Sequence, residues 1–365
     1  MKNGRATAAS QHSNGRLPQS FLSTGSSMKA TETHALPGSG LTLTTLGLGC
    51  SQLGGLYRPM ATADANALVD GAWDAGIRYF DTAPFYGYTL SERRLGQSLQ
   101  ARERHAYVLS TKVGRLMRTD DTVRPGDDGW AQPLPFRPHY DYSFDGIMRS
   151  YEDSQQRLGM HTIDVLYVHD IGTATHGDAH ARYWEQLTRG GGFRALAQLR
   201  DAGAVSAIGL GVNEWQVAAD SMQEADLDLV MLAGRYTLLE QQALAPLLDR
   251  CIGTRTRIVA AGVFNSGVLA GNGKFNYGDA PPDVARKVAR LADACARFDV
   301  QLPAAALQFP LAHPAVVSCV VGARSIDQLQ RNMTWLEAPI PRQLWHALQR
   351  DGLLDEASPV PEGYA

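Results

Sequence analysis

The chain has 365 residues, 44% of them hydrophobic, a net charge of −3 and four cysteines. That balance offers nothing to a nucleic-acid backbone, and no apolar run approaches the ~20 residues that a membrane helix needs. Cys50, Cys251, Cys295 and Cys319 lack CxxC spacing, which argues against a disulfide scaffold and for a reducing, cytoplasmic setting.

Residues 1–39 are rich in Ser, Gly and Thr, carry Lys2, Arg5, Arg16 and Lys29, and have no acid before Glu32. Such a leader fits a transit peptide, an extension ahead of Met28 or a disordered tail. The missing apolar periodicity favours the tail. Residues 41–49 alternate and predict a short hairpin closing a barrel bottom, with a strand at 45–48. G-L-G-C-S-Q-L-G-G (47–55) is not a dinucleotide fingerprint: its third glycine comes too late, and a Pro-containing loop follows. Residues 63–75 read as a helix with Leu68, Val69, Ala72 and Trp73 on one face.

Residues 77–80 read as a buried strand that ends on Asp81. Pro84 and Gly87 then punctuate a loop carrying Tyr86. Thr89 or Ser91 caps the next helix, with Glu92 in its first turn. A strand at 107–109 leads to Lys112 in S-T-K-V-G. Residues 114–142, with four prolines, predict a long loop that leaves the same edge as a lid, and its Trp130, Phe136, His139 and Tyr140 are candidates to line a pocket. A helix at 145–158 and a strand at 163–168 follow, the strand delivering His169.

The alternation continues with helix 193–202, strand 206–212, a helix after Asn213, strand 227–232, helix 241–251, strand 257–261, helix 282–298, strand 316–321 and a helix from Ser325. Eight strand–helix units predict a closed (β/α)8 TIM-type barrel spanning 40–340, followed by a helix and tail over 341–365. In such folds chemistry sits at the C-terminal strand ends. Three successive ends present Asp81 with Tyr86, then Lys112, then His169: a phenol, a cation that favours its ionised form, a carboxylate to hold the cation and an imidazole. Taken singly, each has an ordinary structural reading as a cap, surface charge, loop aromatic or core histidine. His176 and His180 have helical metal-pair spacing but lack a third ligand, so no metal is expected. Ser154 and Cys50 lack a nucleophile context.

These residues, in this order, resemble the aldo-keto reductases. F-D-T-A-P-F-Y-G, Leu95-Gly96, S-T-K-V-G, I-D-V-L-Y-V-H-D and V-G-A-R-S with Gln328 and Asn332 carry the resemblance over about 41–336. Residues 140–159 and I-G-L-G-V-N-E-W are similar to the branch of D-threo-aldose (L-fucose) 1-dehydrogenases, L-galactose dehydrogenases and pyridoxal 4-dehydrogenase. The resemblance implies hydride transfer with NAD or NADP and a catalytic set of Asp81, Tyr86, Lys112 and His169. Asn213 would hold the nicotinamide amide. Phe264, Ser266, Gly267 and Leu269 would form the loop over the pyrophosphate, with backbone N–H groups offered at Ser266 and Gly267. Gly322, Arg324, Gln328 and Asn332 would line the adenosine half. Ala233 and Ala261 stand where the family often has a Gln and a stacking aromatic. Gly322, Ala323 and Gln328 stand where NADP-preferring members have cations or Ser, leaving Arg324 alone and favouring NAD.

The branch implies oxidation of a cyclic hemiacetal, an aldose or pyridoxal, to its lactone, with Tyr57, Trp130 and Tyr140 as candidate substrate contacts. The expected partner is this small molecule, acting on a monomer or homodimer away from nucleic acid and membranes. An NADPH-dependent aldehyde or ketone reductase and a cofactor-sensing regulatory subunit are the alternatives.

Overall fold

The computed structural model describes Met1 and residues 28–276 and 278–363. The described chain begins with a hairpin of β1 (Thr33–Ala35) and β2 (Thr42–Thr44), paired Thr33↔Thr44, His34↔Leu43 and Ala35↔Thr42. The sequence reading placed this hairpin within 41–49. Its first arm instead lies inside the segment expected to be a disordered leader; residues 2–27 of that leader lie outside the described residues. The reason is apolar: Leu36 and Leu43 are buried against the inward-facing Tyr79, Val108, Val165, Tyr167 and Val317, so the hairpin is the floor of a barrel.

Along the chain follow β3 (Leu46–Gly49), α1 (Thr62–Asp74), β4 (Tyr79–Asp81), α2 (Leu90–Leu99), β5 (Val108–Val113), β6 (Arg115–Thr119), β7 (Phe136–Tyr140), α3 (Phe144–Leu158) and β8 (Val165–His169). Then come α4 (Thr173–His176), α5 (His180–Leu187), α6 (Gly192–Asp201), β9 (Ala207–Val212), α7 (Trp215–Glu224), β10 (Leu229–Ala233), α8 (Asp249–Gly253) and β11 (Arg257–Ala261). The chain continues through β12 (Lys274–Phe275), β13 (Gly278–Asp279), α9 (Pro282–Ala296), α10 (Leu302–Gln308), β14 (Val316–Gly322), α11 (Ile326–Glu337) and α12 (Arg342–Arg350). β3, β4, β5, β8, β9, β10, β11 and β14 pair in parallel and close on themselves, so the protein is the (β/α)8 barrel expected from the alternation.

Two local expectations change, and the two histidines singled out in the sequence find separate partners. Residues 114–142 are not structureless, because β6 and β7 pair from Arg115↔Tyr140 to Thr119↔Phe136. Pro138 is accommodated because this ribbon has only two strands and so no second partner for its missing N–H. The helix expected over 241–251 is regular only from Asp249, because Pro246 removes a donor from the helical ladder. His176 and His180 are not a pair. His176 Nε2 bonds the Tyr142 hydroxyl at 3.0 Å and sits among Tyr140, Tyr142 and Tyr183, while His180 packs on Trp184.

The outer layer is fastened by buried polar contacts as well as apolar faces. Glu92 on α2 is fully buried, accepts from Thr111 Oγ1 on β5 at 2.7 Å and pairs with Arg157 on α3. α3 itself starts where the Ser143 hydroxyl accepts from Gly146 N and stops at Gly159, whose φ of 65° is left-handed. α2 and α3 meet at Gly96, where a Cβ would lie 2.1 Å from the Leu158 carbonyl oxygen. Gly96→Ala must push one backbone off the other, so we expect a loss of about 1–3 kcal/mol in urea denaturation. A variant as stable as the parent would show that the two helices can separate freely.

Candidate active site

The barrel delivers the candidate residues to one rim. Asp81 is the last residue of β4, Lys112 the penultimate residue of β5 and His169 the last of β8. The register sets Asp81 beside Ser110 and His169 beside Gly211. Lys112 Nζ donates to Asp81 Oδ2 at 2.7 Å and to the Thr82 carbonyl at 2.9 Å, and Ser110 Oγ donates to Asp81 Oδ1 at 2.7 Å. Ser110 also reaches Tyr79 Oη, which contacts Tyr167 Oη at 3.0 Å inside the barrel. A Cβ on Gly211 would press on Lys112 Cε at 3.3 Å, so a glycine there leaves the lysine its channel.

Tyr86 comes from the loop after β4. Its ring centre lies 4.7 Å from Lys112 Nζ and 5.9 Å from the His169 ring, edge to face. The loop is pinned by a backbone contact at Gly87 (φ 64°), where a Cβ would lie 2.4 Å from the Gly54 carbonyl oxygen. Residues 114–142 cover it. Tyr57 N donates to Gly129 O, Ala131 N to Gly55 O, Leu134 N to Gly87 O, and Tyr88 Oη to Asp128 Oδ2 at 2.5 Å. Trp130 is thereby buried, with ring centres 5.6 Å from Phe85 and 5.8 Å from Tyr86, and its Nε1 has no acceptor among the described residues. Of the three candidate substrate contacts, Trp130 faces Tyr86, Tyr140 packs into the Tyr142–His176–Tyr183 cluster, and Tyr57 stands exposed on the rim.

Burial opposes the Lys112 ammonium, but Asp81 and Tyr86 outweigh it and hold its pKa above the usual lysine value. Burial pushes the Asp81 carboxyl up, with Lys112 and Ser110 pulling against it. Burial also raises the Tyr86 phenol. Lys112 acts in the expected lowering sense but does not win. Burial, then Arg115 and Lys112, drive His169 well below an ordinary histidine, so its ring is neutral.

A second ion pair, absent from the sequence reading, flanks the histidine. Arg115 Nη2 donates to Asp170 Oδ2 at 2.5 Å, and that oxygen is 3.5 Å from His169 Nε2. Asp170 Oδ1 accepts from Asn213 Nδ2 at 3.0 Å. The signal was present: Arg115 directly follows S-T-K-V-G, and Asp170 follows His169. Asp170 also holds a positive φ of 45°, uncommon for a residue with a side chain.

Next along the rim are the candidate cofactor residues. Phe264 packs on Trp335 at 6.0 Å, and Leu269 is buried. Ser266 and Gly267 turn left-handed (φ 61° and 99°), and a Cβ on Gly267 would meet Asn272. The sequence reading gave the Gly267 N–H to a phosphate; it donates instead to Phe264 O. Gly322 closes β14. Gln328 Oε1 accepts from Arg324 N, and Asn332 is 1% exposed with Nδ2 unpartnered.

Arg324 is engaged: Nη1 donates to Gln52 Oε1 and Leu56 O, and Nη2 to Arg58 O and Pro59 O. It therefore ties down the loop after β3, and exposed Arg58 is a second cation beside it. A nicotinamide dinucleotide fits this rim, because buried donors at Asn332 and Trp130 await acceptors that the described chain does not supply. Among the described residues no group of three or more His, Cys, Asp or Glu could hold a metal, and no helix is long and apolar enough to cross a membrane.

Residues 45–350 match the model of the aldo/keto reductase family. Pyridoxal 4-dehydrogenase of Microbacterium luteolum is 51% identical over 340 residues, covering 90% of this chain and 99% of that one. D-threo-aldose 1-dehydrogenase of a Pseudomonas species is 42% identical, again over 90% and 99%, and L-galactose dehydrogenase of Arabidopsis thaliana is 27% identical over 84% and 88%. A solved aldo-keto reductase from Bacillus halodurans, 24% identical, shares the fold with a TM-score of 0.68, covering 90% of this chain and 97% of that one. The chain belongs to the aldo/keto reductase family of NAD(P)-dependent oxidoreductases.

Proposed function

We propose that this protein oxidises a cyclic hemiacetal to its lactone, with pyridoxal and aldoses such as L-fucose as candidate substrates. The observation that carries the proposal is the convergence on one rim of the Tyr86 ring, the buried Lys112–Asp81 pair and a neutral His169. The names of the relatives at 51% and 42% identity supply the substrate class.

In this reading His169 hydrogen-bonds the hemiacetal hydroxyl and sets it against Tyr86 Oη. Tyr86 takes the hydroxyl proton as the C–O bond becomes the lactone carbonyl. An oxidised nicotinamide held at this rim would supply the acceptor for the hydride that leaves the same carbon. Lys112 favours the phenolate that Tyr86 must present, and Asp81 fixes Lys112 so that its charge is aimed at the phenol. Asn213 is held by Asp170 with its carbonyl left for the nicotinamide amide. The loop of Phe264, Ser266, Gly267 and Leu269 would cover the cofactor's pyrophosphate, and Gly322, Gln328 and Asn332 would hold its adenosine half.

NAD is the favoured cofactor. Arg324 is occupied by loop carbonyls, and α11 carries an acid, Asp327, in its first turn, which disfavours a 2′-phosphate. The upward shift of Tyr86 favours a second reading, because a protonated phenol is the acid that carbonyl reduction needs. The direction is read by offering pyridoxal, L-fucose, L-galactose and D-arabinose with NAD and NADP, and simple aldehydes with NADPH, while following the reduced cofactor. Lactone formation with none of the hemiacetals would overturn the dehydrogenase reading.

Tyr86→Phe should abolish turnover while leaving cofactor binding nearly intact, since the ring keeps its place. Turnover within tenfold of the parent removes Tyr86 from the proton transfer.

A phenol raised above its ordinary value is deprotonated only at higher pH, so oxidation should climb into the alkaline range. Lys112→Met removes the cation that opposes the rise and should move that limb further up. An unchanged profile in a folded variant contradicts the role given to Lys112.

Arg324→Ala should weaken NAD and NADP by similar factors, because the loop it ties serves both. A loss confined to NADP in paired titrations would return Arg324 to the 2′-phosphate.

A further inference from the structure

The four candidate catalytic residues are flanked by an ion pair whose arginine, Arg115, has no part in the proposed proton transfer. Arg115 opens β6, three residues past Lys112, and its side chain is 4% exposed. It is gripped rather than merely buried: Asp170 holds one end, and the guanidinium carbon lies 4.3 Å from the centre of the Phe85 ring and 5.5 Å from that of Tyr140. Its Nε–H has no acceptor among the described residues. Phe85 precedes Tyr86, and its ring centre is 6.3 Å from that of His169 and 5.6 Å from that of Trp130, whose buried Nε1–H also lacks an acceptor. Two buried unpartnered donors thus pack on one aromatic ring beside the candidate proton-transfer groups. A buried ion pair is a weak device for stability, because desolvation offsets most of the attraction. A planar, permanently charged fork with a free N–H is suited to binding an oxyanion.

We propose that Arg115 is a specificity-determining residue that binds an ionised oxygen carried beside the reacting carbon of the substrate, and so selects a hydroxypyridine hemiacetal over an aldose. The inference rests on the hemiacetal-dehydrogenase reading. In pyridoxal the ring hydroxyl sits on the carbon next to the one bearing the hemiacetal carbon and is ionised at neutral pH. With the hemiacetal hydroxyl between Tyr86 and His169, that oxygen projects to one side of the reacting centre. Arg115 supplies the matching charge there, and Asp170 keeps the guanidinium oriented before the substrate arrives. An aldose presents only neutral hydroxyls and makes an ordinary hydrogen bond at the same place.

The test compares pyridoxal with its 3-O-methyl ether, which keeps the hemiacetal and loses the ionisable oxygen. The parent should prefer pyridoxal in kcat/KM by roughly ten- to a hundredfold, the worth of one charge-assisted contact. Arg115→Lys keeps a cation for Asp170 but loses the planar fork. It should bring that ratio towards one, mainly through KM for pyridoxal, with its melting temperature checked against the parent. Equal use of the two compounds by the parent overturns the role of Arg115 and leaves the dehydrogenase reading standing. So does an equal loss on both compounds in a folded Arg115→Lys, which marks a structural pair. A parent that makes lactone from neither these compounds nor any aldose, with NAD or NADP, overturns the dehydrogenase reading itself.

Discussion

The site depends on keeping an ammonium and a carboxylate inside an apolar barrel. Lys112 and Asp81 are each about 3% exposed, and burying either alone would cost several kcal/mol. The pair persists because each charge has further partners: the Thr82 carbonyl for Lys112 and the Ser110 hydroxyl for Asp81. Those partners exist only if β4 and β5 keep the register that sets Asp81 beside Ser110. The strand pairing and the charge pairing therefore specify one another. A slip by one residue would turn Asp81 or Lys112 to the helical face and part the two charges.

A loop carries the remaining group, and loops need other restraints. Tyr86 is held by the backbone contact between Gly54 and Gly87 and by Trp130 from above. The lid is bound through its backbone to the loops after β3 and β4, and Arg324 ties the first of these loops to the end of β14. The phenol is thus over-determined from three sides. Side chains on loops reach the precision of strand residues only when packed in this way.

The barrel and the rim positions of Asp81, Tyr86, Lys112 and His169 were legible because strands announce themselves by apolar runs and the four residues stand at or just beyond their ends. The hairpin of β6 and β7 was hidden by its prolines, which argue locally against a strand; only the pairing of Arg115 with Tyr140 makes one. α10 is a short helix whose Ala304, Ala305 and Ala306 are all buried, so it shows no amphipathic period. The engagement of Arg324 could not be read at all, because its acceptors lie some 270 residues away. Arg115 and Asp170 were each visible beside a recognised motif. Their pairing was not, since it arises across the barrel rim.

The two ion pairs together suit the histidine and the tyrosine to different tasks in the proposed reaction. Burial acts with Arg115 and Lys112 to keep the His169 ring neutral. An imidazole so placed can donate a hydrogen bond but resists taking up a proton. At Tyr86 burial dominates and keeps the phenol protonated, while Lys112 pulls towards the phenolate against Asp81 and Asp170. Of the two groups that can face a substrate hydroxyl, Tyr86 has a cation beside it that favours its ionised form, whereas both cations acting on His169 oppose its ionised form. In the proposed oxidation this fixes the route of the proton, leaving His169 to hold the oxygen still while the phenolate takes it.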